Sequence, residues 1–407
     1  MSGVDKCPTI DVIGGTYKEI CLEPVWEQVY GSGLRASLTV CGLDEKCSVV
    51  LHTIAGKEVN THLEMHYNNI SKEIVNAPQD SSPISFVYQN ALKPPLLFHK
   101  TLKYPQIDIK VDNCIMFGMM ECVSRVVADY VVYDPQSPNA PIPFSKTRSL
   151  AKHLCIVMNQ REAKLWTGKD GDEEIRDFIF STENCECLVI KKGAEGALLF
   201  DAPNSKGTLI PLFKTNHVWK IGSGDVFTGA FGYYWIVAHE TPEECALKAS
   251  RAVACYSNSK TLDNLNMQME TASFKAHLPK ETGSVYLAGP FFTMAERMFV
   301  NECREALLGM GLSVFSPFHD VGFGEPDEVV PQDIEAIKRC KTIFAILNGM
   351  DPGTVFEVGF GVALGKNIVV LAECETKSNL QMIRGTNCVV ETDFVTAIYK
   401  TSWLTNE

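Results

Sequence analysis

Residues 341–373, KTIFAILNGMDPGTVFEVGFGVALGKNIVVLAE, switch between two kinds of pattern. KTIFAIL and NIVVLAE are short apolar runs rich in branched residues and read as buried strands, whereas TVFEVGFGVALGK has the length of a helix. Strand, helix and strand in that order predict a parallel β-α-β unit, since parallel neighbours need a crossover of this size. Inside it Glu357 is a single acid between Phe356 and Val358. Asp351 stands six residues earlier, and Pro352, Gly353 and Thr354 make the turn into the helix. In a doubly wound sheet the ligand crevice lies outside the carboxyl ends of the strands, so this loop is a candidate site. The helix N-terminus favours a carboxylate there and is expected to keep Glu357 ionised, as attack on an anomeric carbon requires. The plainer reading is a solvated glutamate on the outer helix face, which Phe356, Val358 and Phe360 disfavour.

Outward from this unit the alternation continues. SVYLAG (284–289) reads as a strand, a helix runs from about Met294 to Met310, LSVFSP is a strand, and a helix passes through PQDIEAIKRC. Residues 284–407 are therefore expected to form a smaller doubly wound, flavodoxin/Rossmann-like parallel-sheet domain. The polar stretch ETASFKAHLPKETG (270–283), with its Pro and Gly, separates it from what precedes, and 271–283 reads as a linker. Residues 1–270 end in further alternating elements, including VVYDPQ, HLCIVMN and CLVIKKG, after an earlier part of short strands and turns.

Composition narrows the function. The 407 residues are 45% hydrophobic and 21% charged, with a net charge of −12, which argues against nucleic acid as a partner but not against small phosphorylated ligands. No apolar run reaches eighteen residues, so no membrane span is expected, and no export signal is read at the N-terminus. Fifteen scattered cysteines without a CxxC pair suggest buried free thiols in a reducing cytoplasm; Cys185 and Cys187 could be half a metal site, but nothing completes it.

In VWKIGSGDVFTGAFG, Gly222, Ser223 and Gly224 precede a helix with Asp225 in its first turn. Small residues there let backbone N–H groups approach an anion, and a carboxylate beside them can deprotonate a hydroxyl. Taken alone it could equally be a capped turn. Upstream, VMNQREAKLWTG carries Asn159 and Glu162 three apart, and VIKKGAEGALLF reads as a glycine-turned hairpin.

These blocks, in this order, resemble the ribokinase-like (PfkB-type) carbohydrate and nucleoside kinases over about residues 9–265. The resemblance implies a ribokinase-like α/β domain that uses ATP and Mg²⁺. Asp225 would be the general base, Gly222, Ser223 and Gly224 the phosphoryl-stabilising loop, and Asn159 and Glu162 the Mg²⁺–phosphate end. Departures fall at the acceptor end: Glu19 stands where the family has a sugar-gripping aspartate, and Arg35 where it offers an asparagine.

VYLAGPFF, FSPFHD, QDIEAIKRC, DPGTVFEVGFGVALGKNIVVL and SNLQMIRG resemble the nucleoside 2-deoxyribosyltransferases over nearly all of 284–390. That resemblance implies Glu357 as nucleophile, Tyr286 holding it, Asp333 assisting proton transfer to the base, and Asp351 binding a sugar hydroxyl beside Gly353 and Thr354. No cofactor is implied for that chemistry. Asn379, or Leu380 if the register slips by one, would complete a neighbouring subunit's site, so a homo-oligomer is expected. His319 could touch a base, although a satisfied loop histidine is the simpler reading. The whole chain is thus expected to be a bifunctional enzyme of (deoxy)nucleoside metabolism. The rival readings are a nucleoside 5′-monophosphate N-hydrolase, or the same glycosidase joined to a non-catalytic kinase-like sensor or scaffold.

Overall fold

The computed structural model describes residues 8–68, 70–77, 83–98, 106–137, 140–203, 205–279 and 283–407. The chain divides between Ala276 and His277 into two compact units.

Three neighbouring strands of the first unit are apolar along most of their length and end in polar residues: Arg125–Asp134, Leu150–Asn159 and Cys187–Lys191. Apolar runs of this kind form parallel sheet covered on both faces. They pair in parallel, with Asn159 opposite Lys191 in register, and Asp134 ends its strand at the same carboxyl edge. The sheet continues in parallel through Asn113–Phe117, Thr9–Ile13, Ser48–Ala55 and Ser71–Asn76. At its other end it turns antiparallel through Ala197–Phe200 and Thr208–Ile210, as the hairpin reading of VIKKGAEGALLF requires. A separate four-stranded sheet is formed by Trp26–Val29, Lys18–Glu23, Ser85–Asn90 and Leu96–Phe98. Glu19 belongs to that smaller sheet, and Arg35 to the helix Gly31–Leu43.

The second unit is a five-stranded, all-parallel sheet ordered Ser313–Phe315, Ser284–Ala288, Thr342–Ile346, Asn367–Leu371, Val389–Glu391. Numbered along the chain this is 2-1-3-4-5, the flavodoxin-like order whose switch point lies between the first and third strands. Every residue of Thr342–Ile346 is buried, as expected of a central strand. Helix starts are set by side chains: Thr293 and Glu296 form a capping box for Met294–Gly309, and Asp351 caps Pro352–Ala363. The region expected to be a linker is partly ordered, since the helix Leu265–Thr271 ends inside it and Lys275–His277 is a short strand. Residues 280–282 of that stretch lie outside the described residues.

Candidate functional site

Tyr286 is a strand residue with no exposed surface, and its ring stacks on Phe315 of the neighbouring strand. Its hydroxyl donates to Glu357 Oε1 at 2.5 Å. The pairing follows from topology, because Tyr286 comes from the first strand and Glu357 from the helix after the third, on either side of the switch point. Burial is the main influence on Glu357 and raises its pKa to about 7; the tyrosine hydrogen bond works against the rise, while Asp333 and Asp351 add to it. This corrects the expectation of a fully ionised Glu357. Near neutral pH it divides between acid and carboxylate, because desolvation here outweighs the helix N-terminus. Tyr286 is pushed far above the ordinary phenol range by burial and by Glu357, so it remains a donor.

Asp333, in the helix Pro326–Arg339, is raised to about 6 by burial. Its Oδ1 is buried and finds no hydrogen-bond partner among the described residues. An unsatisfied buried carboxylate oxygen is a poor structural device and a good ligand contact. Asp351 is committed at one oxygen: its Oδ2 accepts from the Thr354 backbone N–H at 2.8 Å and from the Thr354 hydroxyl at 2.9 Å. Thr354 is buried and Gly353 exposed in that same first turn.

The remaining expectations divide. Asn379 lies on an exposed turn, its side-chain amide donating to Glu375 at 2.8 Å, and no hydrogen bond joins it to Glu357. Leu380 is 1% exposed and belongs to the apolar core, which removes it as the residue offered to a neighbour. His319 has both ring nitrogens engaged, by Ser316 at 3.0 Å and Asn301 at 2.7 Å, as the simpler reading holds. Sequence reasoning passed over an aromatic cluster at the same strand edge. Phe291 lies 5.6 Å, between ring centroids, from each of Phe292, Phe318 and Phe323, and Phe292 and Phe323 are largely exposed. The doubled Phe in GPFF was the available signal.

In the first unit Asp225 opens the helix Ser223–Ile236, after Gly222 in the left-handed region (φ 77°). Its carboxylate is not free. Arg35, 1% exposed, donates to Asp225 Oδ2 at 2.7 Å and to both oxygens of Glu19, at 3.1 and 2.5 Å. The Gln136 amide donates to the other oxygen, Asp225 Oδ1. A Cβ at Gly222 would lie 2.1 Å from the guanidinium carbon, so glycine is needed both for its backbone angle and for the arginine. Asn159 and Glu162 are engaged with each other as a capping box of the helix Gln160–Thr167. Glu162 is raised to about 7, by burial first and then by the charge of Asp134. Asp134, Lys191 and Gln136 were not singled out by the sequence; Lys191–Lys192 in a hairpin reads as surface charge.

Each α/β unit carries carboxylates at the carboxyl edge of its sheet, and comparison with known proteins supplies family matches that support an enzyme. Residues 285–393 match the nucleoside 2-deoxyribosyltransferase family, and residues 116–266 match the pfkB family carbohydrate kinases. Ribokinase from Giardia lamblia superposes with a TM-score of 0.50 at 13% identity, covering 65% of this chain and 98% of that one. Ribokinase from Thermotoga maritima gives 0.49 at 18% identity, covering 65% and 98%. No curated protein sequence matches the chain. Among the described residues no helix is long and apolar enough to cross a membrane.

A ribokinase-like fold implies ATP, a divalent cation and a hydroxyl acceptor. The residues present do not fit that set. An acceptor hydroxyl would have to reach a carboxylate whose oxygens are held by Arg35 and Gln136.

Proposed function

We propose that the second unit cleaves or exchanges the N-glycosidic bond of a (deoxy)nucleoside through a covalent glycosyl–Glu357 intermediate. The observation that carries this is the Tyr286–Glu357 hydrogen bond at a topological switch point, with the unpartnered oxygen of Asp333 on the same unit. In the first step a Glu357 carboxylate oxygen attacks C1′. The bond from C1′ to the base nitrogen breaks with its electron pair passing to the base, and protonated Asp333 delivers a proton to that base. In the second step an incoming base nitrogen or a water oxygen attacks C1′, the C1′–Oε bond breaks, and Glu357 returns as carboxylate; the acceptor's proton passes to Asp333. Two displacements give net retention at C1′. Tyr286 holds the carboxylate while Glu357 carries the sugar. The phenylalanine cluster offers a stacking face for a planar base.

Asp351 favours the free nucleoside over its 5′-monophosphate. An ionised aspartate accepts hydrogen bonds and suits a 5′-hydroxyl, whereas a phosphate would be repelled. The family resemblance of SNLQMIRG carries the reading of a homo-oligomer in which Asn379, on an exposed turn, reaches a neighbour's site. Loss of base release on dilution to monomer, followed by light scattering, is the expected result, and a fully active monomer removes that role.

For the first unit, Asp225 was expected to catalyse ATP-dependent phosphorylation of a sugar or nucleoside. The Arg35–Glu19–Asp225 ion pairing favours the rival reading, a kinase-fold sensor or scaffold that transfers no phosphate. One experiment tests both halves: incubate the protein with a panel of nucleosides and nucleotides, with and without Mg·ATP, and identify products by mass spectrometry. Free base from nucleosides, with no phosphorylated product, is expected. A panel that yields no base overturns the glycosidic assignment, and a phosphorylated product overturns the silent-kinase one.

A further inference from the structure

The loop that delivers Asp351 is held by a residue the proposed mechanism does not use. Strands Thr342–Ile346 and Asn367–Leu371 are parallel neighbours, so the chain leaves both at the same carboxyl edge. After the first of them Gly349 and Met350 both take left-handed backbone, at φ 85° and 52°. Methionine carries a Cβ and is disfavoured there, so neighbouring structure has to impose the turn. The Met350 side chain packs, partly buried, on the core of the unit. The other holds come from the loop after the next strand. The Gly349 N–H donates to Glu375 Oε1 at 2.8 Å. The Asn348 amide donates to Glu373 Oε2 at 2.9 Å, and the Glu373 N–H returns a bond to Asn348 Oδ1 at 2.8 Å. Next after Met350, Asp351 caps the helix that carries Glu357.

The second oxygen of Glu375 accepts from the Asn379 side-chain amide at 2.8 Å. Asn379 first, and the Gly349 N–H after it, hold the Glu375 carboxyl below the ordinary glutamate range. It is therefore an anion, with an acceptor at each oxygen, across the neutral range. One carboxylate thus spans the turn before Asp351 and the turn of Asn379. We infer that Glu375 is a positioning residue for nucleoside binding: it fixes the Gly349–Met350 turn, and with it Asp351, and ties that turn to Asn379 so that the two shift together. The inference rests on the reading that Asp351 meets the sugar. Glu375 touches no reacting atom in that reading and acts through Asp351. The Asn348–Glu373 pair joins the same two loops independently, so loss of Glu375 loosens the turn without releasing it.

The test combines hydrogen exchange of the amides of residues 348–351 with steady-state base release, both on the full-length protein. The substrate is the panel nucleoside that releases base fastest. Glu375→Ala is expected to speed exchange at Gly349 by at least about tenfold. KM should rise by about threefold to tenfold, with kcat within about twofold and Tm within about 2 °C of the wild type. Glu375→Gln keeps an oxygen for the Gly349 N–H and should restore both exchange and KM. Asn379→Ala, which acts on the turn through Glu375, should speed exchange less, and the double variant no more than Glu375→Ala alone. Wild-type exchange at Gly349 in Glu375→Ala overturns the inference, as does a loosened turn with unchanged KM. A parallel fall in kcat and Tm would make Glu375 a structural residue and overturns it too. If Glu375→Gln behaves as Glu375→Ala does, charge and not the hydrogen bond is at work, and the positioning role falls. A wild type that releases no base removes the glycosidic reading and the role toward the sugar with it, and exchange alone then decides whether Glu375 holds the turn.

Discussion

Glu357 and Asp225 are both acids early in a helix, each withdrawn from water and each held by a donor from a distant element. The donors differ in charge. Tyr286 is neutral, so Glu357 keeps the desolvated character that burial imposes, as the nucleophile proposed above would. Arg35 is a full cation, sealed at 1% exposure, and the negative charge of Asp225 is already answered. A neutral donor leaves a carboxylate's charge unanswered, whereas a buried arginine compensates it.

The comparison breaks most directly at Glu357. Glu357→Gln should lower base release by at least about a thousandfold, because it removes the nucleophile of a covalent mechanism, while the fold survives. Its effect on stability should have the opposite sign. Since the folded pKa of about 7 lies above the ordinary glutamate value of 4.5, the group's favourable contribution is complete below about pH 4.5 and is lost as the pH rises through 7. Glu357→Gln should therefore raise Tm at pH 8 and do less at pH 5. Near-normal turnover, or a lower Tm at pH 8, contradicts this account.

Arg35→Ala attacks the other half. It strands Glu19 and Asp225 as buried unpaired acids and should cost about 3–5 kcal/mol in urea unfolding followed by probes in the first unit. Base release should persist below the unfolding transition. A loss under 1 kcal/mol would mean that water reaches these carboxylates and that the plug is looser than its distances imply.

A smaller effect is expected at Asp351. The wild type should prefer a nucleoside to its 5′-monophosphate by at least about tenfold in kcat/KM, and Asp351→Ser should narrow that ratio. Serine can still cap the helix, so the change isolates charge from capping. A wild-type preference for the monophosphate would reverse the assignment of this residue.

The mildest prediction is the pH profile. Asp333, near 6, must be protonated, and Glu357, near 7, must be ionised, so kcat/KM should peak midway, at about pH 6.5. With those values it falls by about sixfold at pH 5 and again at pH 8. A flat plateau from 5 to 8 would mean that one of the two carboxyls takes no part.

Much of the second unit was legible in its sequence, because short apolar runs and longer periodic ones set the element types and glycine and proline mark the turns. Glu357 and Asp351 could be singled out as acids in an apolar, glycine-rich stretch and at a strand end, whereas Tyr286 and Asp333 were reached only through the family resemblance. The ionisation state of Glu357 was not legible. It depends on how much protein closes over the carboxylate, and helix position alone suggested the wrong answer. In the first unit the unusual residues Glu19 and Arg35 could be read, but not their destination. Arg35 and Asp225 are 190 positions apart, and only the assembled sheet edge brings them together. Lys191 was hidden by its neighbour Lys192, because a lysine pair beside a turn looks like solvent-facing charge until the fold brings one of them to 2.6 Å from Asp134.

The contact between Arg35 and Gly222 limits which sequences this unit can pass through. Exchange of Arg35 for a neutral residue strands two acids, exchange of either acid leaves the guanidinium under-neutralised, and any side chain at Gly222 strikes the arginine. The four positions are thermodynamically coupled, so their substitutions are not additive and single steps are penalised where paired steps are not. An open acceptor pocket at this corner would thus require several of these residues to change at once. The arrangement makes one compound position of four residues, which change together or not at all.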